Sequence, residues 1–203
     1  MPARHVVSWS TLIGGYVQCG MSKQALGVFR EMQVANMEPN DVTLVSVLAA
    51  SPLLGALEQG KWVHGYLNSN GVELVFFWVL RLIDMYTKCG EVELALEVFN
   101  GMSTRNLLVW TSMIKGLAMH GWGKEAFSLI YDLERAGIVP DDITFIGVLC
   151  ACTHAEQAAK NLIQLEPDNR GKSREVKFCR IQKNIRLVWL KVAKAIERLL
   201  FEC

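Results

Sequence analysis

The chain has 203 residues, 51% of them apolar and 20% charged, which is the make-up of a folded protein and excludes a disordered one. Its formal net charge of +1 at pH 7 names no partner by bulk electrostatics. The most apolar run, VELVFFWVLRLIDMY (72–86), is broken by Glu73, Arg81 and Asp84, so no membrane-spanning helix is expected.

The first predicted element is a helix in which Trp9, Leu12, Ile13, Tyr16 and Val17 recur every three or four residues and share one face. Gly20 is expected to end it and Ser22 to cap the next helix. That second helix carries Ala25, Leu26, Phe29 and Met32 at the same spacing, and Pro39 prevents its continuation. The pattern then repeats. A shift of 35 overlays Gly20 on Gly55. A shift of 70 overlays Gly20, Ala25, Leu26, Val28, Phe29 and Met32 on Gly90, Ala95, Leu96, Val98, Phe99 and Met102. A shift of 101 overlays Trp9, Gly20, Ala25 and Pro39 on Trp110, Gly121, Ala126 and Pro140. Four units follow, 6–40, 41–75, 76–106 and 107–141, with a partial fifth at 142–155. Units of this length cannot cover their own apolar faces, so they must stack. The fold class expected is all-α: an α-solenoid of stacked helix-turn-helix repeats.

After the repeats the composition changes. Residues 1–169 hold 11 Lys/Arg against 17 Asp/Glu, whereas residues 170–203 hold 10 against 3. A boundary is therefore expected near 156–172, followed by a basic tail. In that tail Trp189, Val192, Ile196, Leu199 and Leu200 share one face of an amphipathic helix. The six cysteines have no paired spacing and predict reduced thiols. The opening MPARHVVSWS has neither the apolar core of a secretory signal nor an Arg/Ser-rich leader.

These units resemble the plant pentatricopeptide repeat family, and not the tetratricopeptide repeat, whose W-x2-L-G-x2-Y pattern is missing. VVSWSTLIGGYVQCGMSKQALGVFREMQVANMEPN (6–40) is similar to the family's standard 35-residue motif, and 41–75 to its long variant. LIDMYTKCGEVELALEVFNGMSTRN (82–106) is similar to the short variant, and 107–141 returns to the standard form. This order resembles the organellar subclass associated with RNA editing. EQAAKNLIQLEPDN (156–169) is similar to part of that subclass's C-terminal extension motif, with several intervening motifs missing, so a truncated member is expected.

The resemblance implies single-stranded RNA binding, one base per repeat, by an adaptor in organellar RNA processing such as C-to-U editing. It implies a mitochondrial or chloroplast location, and a deaminase or other editing factor as protein partner. In the family the fifth and last residues of a repeat meet the base edge, and the second packs against base faces. Carried over, these are Ser10, Asn40 and Val7 in the first unit, and Thr111, Asp141 and Leu108 in the fourth. Hydroxyl plus amide suits adenine, and hydroxyl plus carboxylate suits guanine. In the middle units Val45 and Val75 cannot pair with a base through their side chains, and Leu80 leaves Asn106 without a polar partner. Ser or Thr near a helix start, and Asn or Asp after Pro, are also ordinary caps. A protein-binding scaffold and a degenerate fragment are the alternative readings.

No enzyme is expected. His154-Ala155-Glu156 spells the H-x-E of zinc deaminases, but the C-x-x-C that must accompany it is missing. The C-x-C of CACTH (150–154) lies on a predicted helix without a second ligand pair, and no metal or cofactor is expected. His64 and His120 read as isolated packing or surface residues, and Trp9 and Trp110 as core.

Overall fold

The computed structural model describes residues 5–141 together with 143–144, 146–147 and 150. The expected extension motif (156–169), the H-x-E triplet and the basic tail (170–203) lie outside the described residues. Eight α-helices are present among the described residues, and the secondary structure there is all-helical. They are α1 (Val6–Gln18), α2 (Ser22–Val34), α3 (Asp41–Ala50), α4 (Leu57–Ser69), α5 (Phe76–Lys88), α6 (Val92–Asn100), α7 (Leu107–Met119) and α8 (Gly123–Arg135). A 3-10 turn over Ser51–Leu54 extends α3. No helix among the described residues is long and apolar enough to cross a membrane.

The chain divides into two compact units, Met1–Ser112 and Met113–Cys203. In the first, α1 packs on its own partner α2 and also on α3, and α3 packs on α4 and on α5. α1 and α3 each thus touch both their pair mate and the next repeat's first helix, which is the stacking of an α-solenoid. The periodic apolar residues meet in its interior: Ile13, Phe29, Met32, Val47, Val63, Val79 and Ile83 are all fully buried. α4 and α5 come so close at Gly60 that any side chain there would run into the Met85 thioether. In the second unit Met113, Ile114, Leu117 and Leu133 are fully buried. A Cβ added at Gly147 would lie 3.6 Å from Ile114 Cγ2, so the helical segment after residue 142 runs against α7.

The first helices end in one recurrent way. After α1, Gly20 N–H donates to Val17 C=O (3.0 Å) and Met21 N–H to Tyr16 C=O (2.8 Å), the two bonds of a Schellman ending. The same pair recurs at Gly55–Ala56, Gly90–Glu91 and Gly121–Trp122. The left-handed backbone this requires (φ +71, +60, +85 and +76) falls on the glycines overlaid by the shifts of 35, 70 and 101. The same ending corrects the expectation for Ser22. Met21 closes α1 and also immediately precedes α2, so no residue is left over as a polar cap. Ser22 is the first helical residue, and its hydroxyl is buried without a hydrogen-bond partner.

The third unit is short because α6 is short. It has nine residues where α2, α4 and α8 have 13, and four residues are about one helical turn. The missing turn is the last one, so Ala95, Val98 and Phe99 keep the register of Ala25, Val28 and Phe29. Arg105 occupies the end that the lost turn would have covered: its Nε donates to Phe99 C=O (2.8 Å) and its Nη2 to Asn100 C=O (3.2 Å). The guanidinium also lies 4.6 Å above the Phe99 ring and 5.7 Å from the Trp110 ring.

Candidate nucleic-acid interface

The start of each first helix carries a recurrent group of side chains. Second positions are open to solvent: Val7 is 65% exposed, Val42 58%, Phe77 47% and Leu108 57%. In the helices that carry them, the neighbouring tryptophans Trp9, Trp78 and Trp110 are buried, so the helix start turns one apolar residue outward and the next aromatic inward. Ile143 of the second unit is likewise 54% exposed. Covering any of these half-exposed side chains with a flat aromatic ring gains about 1 kcal/mol, a fraction of the worth of full burial. Beside Phe77, Arg81 one turn along α5 places its guanidinium 5.5 Å from the ring, a cation next to the apolar row.

In the first repeat the two polar candidates come together across 30 residues. Ser10 is buried, donates its hydroxyl to Val7 C=O (3.0 Å), and lies 3.5 Å from Asn40 Nδ2. Asn40, half-buried, caps α3: its Oδ1 accepts from Thr43 N–H and from the Thr43 hydroxyl, each at 3.0 Å. Asp141 is built in the same way. Its Oδ1 accepts from Thr144 N–H (2.8 Å) and from the Thr144 hydroxyl (2.6 Å). Thr111 is buried near the start of α7. At both ends, then, the side chain that follows the repeat's last proline is a helix cap with one remaining polar atom. Capping uses one oxygen of Asn40 and of Asp141, so it is compatible with the base-contact role expected of them.

The middle repeats differ in kind. Val75 precedes α5 with no side-chain cap and is 46% exposed, and Val45 and Leu80 are half-buried apolar side chains. Asn106 caps α7 through Val109 N–H (3.1 Å), without a threonine hydroxyl to share its oxygen.

Three contributors escaped the sequence reading. Thr43 and Thr144 overlay under the shift of 101, so the signal was present. Arg81 stands four residues after Phe77, a helical spacing that also could have been noticed. His64 is not isolated as expected: its Nδ1 lies 2.9 Å from Tyr86 Oη, tying α4 to α5. Burial lowers the His64 pKa below its usual value, against the opposing pull of Glu97. Burial, with Glu97, Glu91 and Cys89, pushes the Tyr86 phenol up to about 12. Both groups are neutral near pH 7, which makes the pair a structural tie. It borders a cleft of about 450 Å³ beside the shortened α6, lined also by Glu73, Val75, Phe76 and Glu97. Among the described residues no group of three or more His, Cys, Asp or Glu could hold a metal ion. Trp9 and Trp110 are buried as expected.

Comparison with known proteins bears on the repeats and their fold. A family model described as the PPR repeat family matches residues 4–50, and one described as the PPR repeat matches 81–107 and 108–138. A chloroplastic pentatricopeptide repeat-containing protein of Arabidopsis thaliana is 45% identical over 157 residues, covering 76% of this chain and 21% of that protein. A mitochondrial one from the same plant is 36% identical over 167 residues, covering 82% of this chain and 30% of its own length. The chain therefore spans only about a fifth to a third of these relatives. Among solved structures, the pentatricopeptide repeat protein PPR10 in complex with an 18-nt psaJ RNA element superposes with a TM-score of 0.66. That match is at 22% identity, over 85% of this chain and 26% of the other, and it shows a shared fold.

Proposed function

Since the chain belongs to the pentatricopeptide repeat family, we propose that it binds single-stranded RNA through its repeats, reading one base at the first and one at the fourth. The observation that carries this reading is the Ser10–Asn40 pair, a hydroxyl oxygen and an amide nitrogen 3.5 Å apart beside an exposed Val7. An acceptor beside a donor matches the amino group and ring nitrogen of adenine. A carboxylate and a hydroxyl, offered by Asp141 and Thr111 as the fourth repeat's last and fifth residues, suit the N–H groups of guanine. Val7 and Leu108 pack against base faces. The bases opposite the two middle repeats are not selected by side-chain hydrogen bonds. PPR10's RNA complex and the chloroplastic and mitochondrial relatives support an organellar RNA role. Within it we place the chain as an adaptor in RNA processing such as C-to-U editing, in the standard–long–short subclass.

Affinity from the repeats alone is low, because residues 1–169 carry more acidic than basic side chains and few phosphates are neutralised. The test is a set of short single-stranded RNAs with every base varied at two positions separated by two intervening nucleotides. Selection of adenine and guanine there, lost in Ser10→Ala and Asp141→Ala respectively, supports the assignment. Selectivity unchanged by both substitutions refutes it. That acidic excess also favours a second reading, a scaffold that binds protein. Stable partners that survive nuclease treatment support the scaffold, and RNA that co-purifies and is lost on treatment supports the first reading.

A further inference from the structure

Both polar reading ends are held by a threonine three residues later, and the two threonines do different things. Thr43 and Thr144 are fully buried. A buried hydroxyl proton left without an acceptor is costly, and each threonine gives its proton to the capping oxygen: Thr43 Oγ1 to Asn40 Oδ1 at 3.0 Å, Thr144 Oγ1 to Asp141 Oδ1 at 2.6 Å. The same oxygens also accept the backbone N–H of those threonines. An amide oxygen has two lone pairs. In Asn40 both are taken, one by the helix and one by the hydroxyl.

We propose that Thr43 is a specificity-positioning residue: by saturating Asn40 Oδ1 it leaves the side chain only its Nδ2 donor to offer a base. This rests on the RNA-reading role proposed above. A donor facing the base accepts partners with a ring-nitrogen acceptor beside an amino group, as in adenine. It opposes guanine and uracil, whose ring N–H would point at another N–H. Asparagine can otherwise both donate and accept, so without the hydroxyl the freed lone pair of Oδ1 takes such an N–H and the discrimination is lost. Asp141 is a carboxylate with acceptors only. Thr144 therefore fixes the carboxylate through Oδ1 without changing what kind of base group Asp141 takes. Asn106, capped through Val109 N–H alone, is the unsaturated version of the same residue.

The measurement is the full chain titrated with ten-nucleotide RNAs that differ only at the base facing the first repeat. For Thr43→Val we expect the preference for adenine over guanine and uracil to fall by about tenfold, the worth of one hydrogen bond of ordinary strength. Thr43→Ser restores it, because the hydroxyl returns. Thr144→Val leaves the preference for guanine at the fourth repeat in place. Matching circular dichroism of the variants shows that the helices survive. If Asn40→Ala abolishes the preference while Thr43→Val leaves it intact, the inference is wrong and the reading role stands. If Thr43→Val and Thr43→Ser lose it equally, the threonine acts through packing and the inference is again wrong. A wild-type chain with no preference at that base refutes both.

Discussion

The first repeat and the short third repeat reach the same packing with different parts. Phe29 and Phe99 hold equivalent registers and are both buried in full or nearly so. Phe29 meets Trp62 of α4 edge-on at 5.4 Å, and Phe99 meets Trp110 of α7 at 5.0 Å. α2 runs 13 residues and closes on Asn36 in the left-handed conformation (φ +51), whereas α6 stops after nine and its end is taken over by Arg105. A repeat can thus lose a turn without losing its core, because the loss lies beyond Phe99 and one long side chain closes the exposed carbonyls. The missing residues lie after Asn100, so Phe99 keeps the register of Phe29.

The sharpest way to break this comparison is at the two phenylalanines. We expect Phe99→Ala to lower unfolding stability by about 3–5 kcal/mol, as for large cavities generally, and to exceed Phe29→Ala, because Phe99 also seats Arg105. Urea titrations of both variants check it; an equal or larger loss at Phe29 would mean that Arg105 gains nothing from the ring. Next in size is Arg105→Ala, which we expect to cost about 2 kcal/mol through two charge-assisted bonds to helix carbonyls. Arg105→Lys should recover only part of this, since a single ammonium cannot span Phe99 C=O and Asn100 C=O and stack on a ring as well. Full recovery in the lysine variant would reduce the cap to its charge alone.

A smaller effect is expected at the turns. Gly20→Ala and Gly90→Ala place a Cβ in open space, so the cost is backbone strain alone, about 1–2 kcal/mol for a left-handed residue. Gly90 (φ +85) lies further from the usual left-handed centre than Gly20 (φ +71) and should lose more in the same urea titration. Equal losses would show that the two turns relax to a common geometry.

The repeated features were the legible ones. Helix pairs, the buried faces and the turn glycines each occur several times, so a weak local signal was reinforced by its own copies. The shortening of the third unit was legible as a change of period. What replaces the missing turn was not, because Arg105 reaches back to Phe99 only when the loop between them has its final path. His64 and Tyr86 stand 22 residues apart, and no helical spacing relates them. Ser22 misled because serine before an apolar run is a common cap, while the Schellman ending of α1 had already used the preceding residue. At the candidate site Asn40 and Asp141 were visible as candidates for cap and for reader, and the structure shows the caps. Which of their atoms is spent on the cap is a matter of side-chain geometry that residue type alone does not express.

The smallest expected effect tests whether α5 gains anything from charges that α1 lacks. Lys88 Nζ lies 2.7 Å from Asp84 Oδ2, one turn apart near the helix end, with the two side chains 53% and 56% exposed. At the equivalent positions α1 has Gln18 and Gly14, with no charge. The pair has the favourable order, acid before base, and Lys88 sits in the last turn where the helix dipole welcomes a cation. Its exposure limits the gain, because water screens both partners and two long side chains must be held still. A double-mutant cycle of Asp84→Ala and Lys88→Ala should therefore give a coupling of about 0.3–0.5 kcal/mol. At 1 M salt the screening length falls to about 3 Å, and the coupling should nearly vanish. A value that stays above about 1 kcal/mol in high salt exceeds what exposed pairs supply. It would place a larger share of the difference between the two helices in electrostatics than in their shared packing.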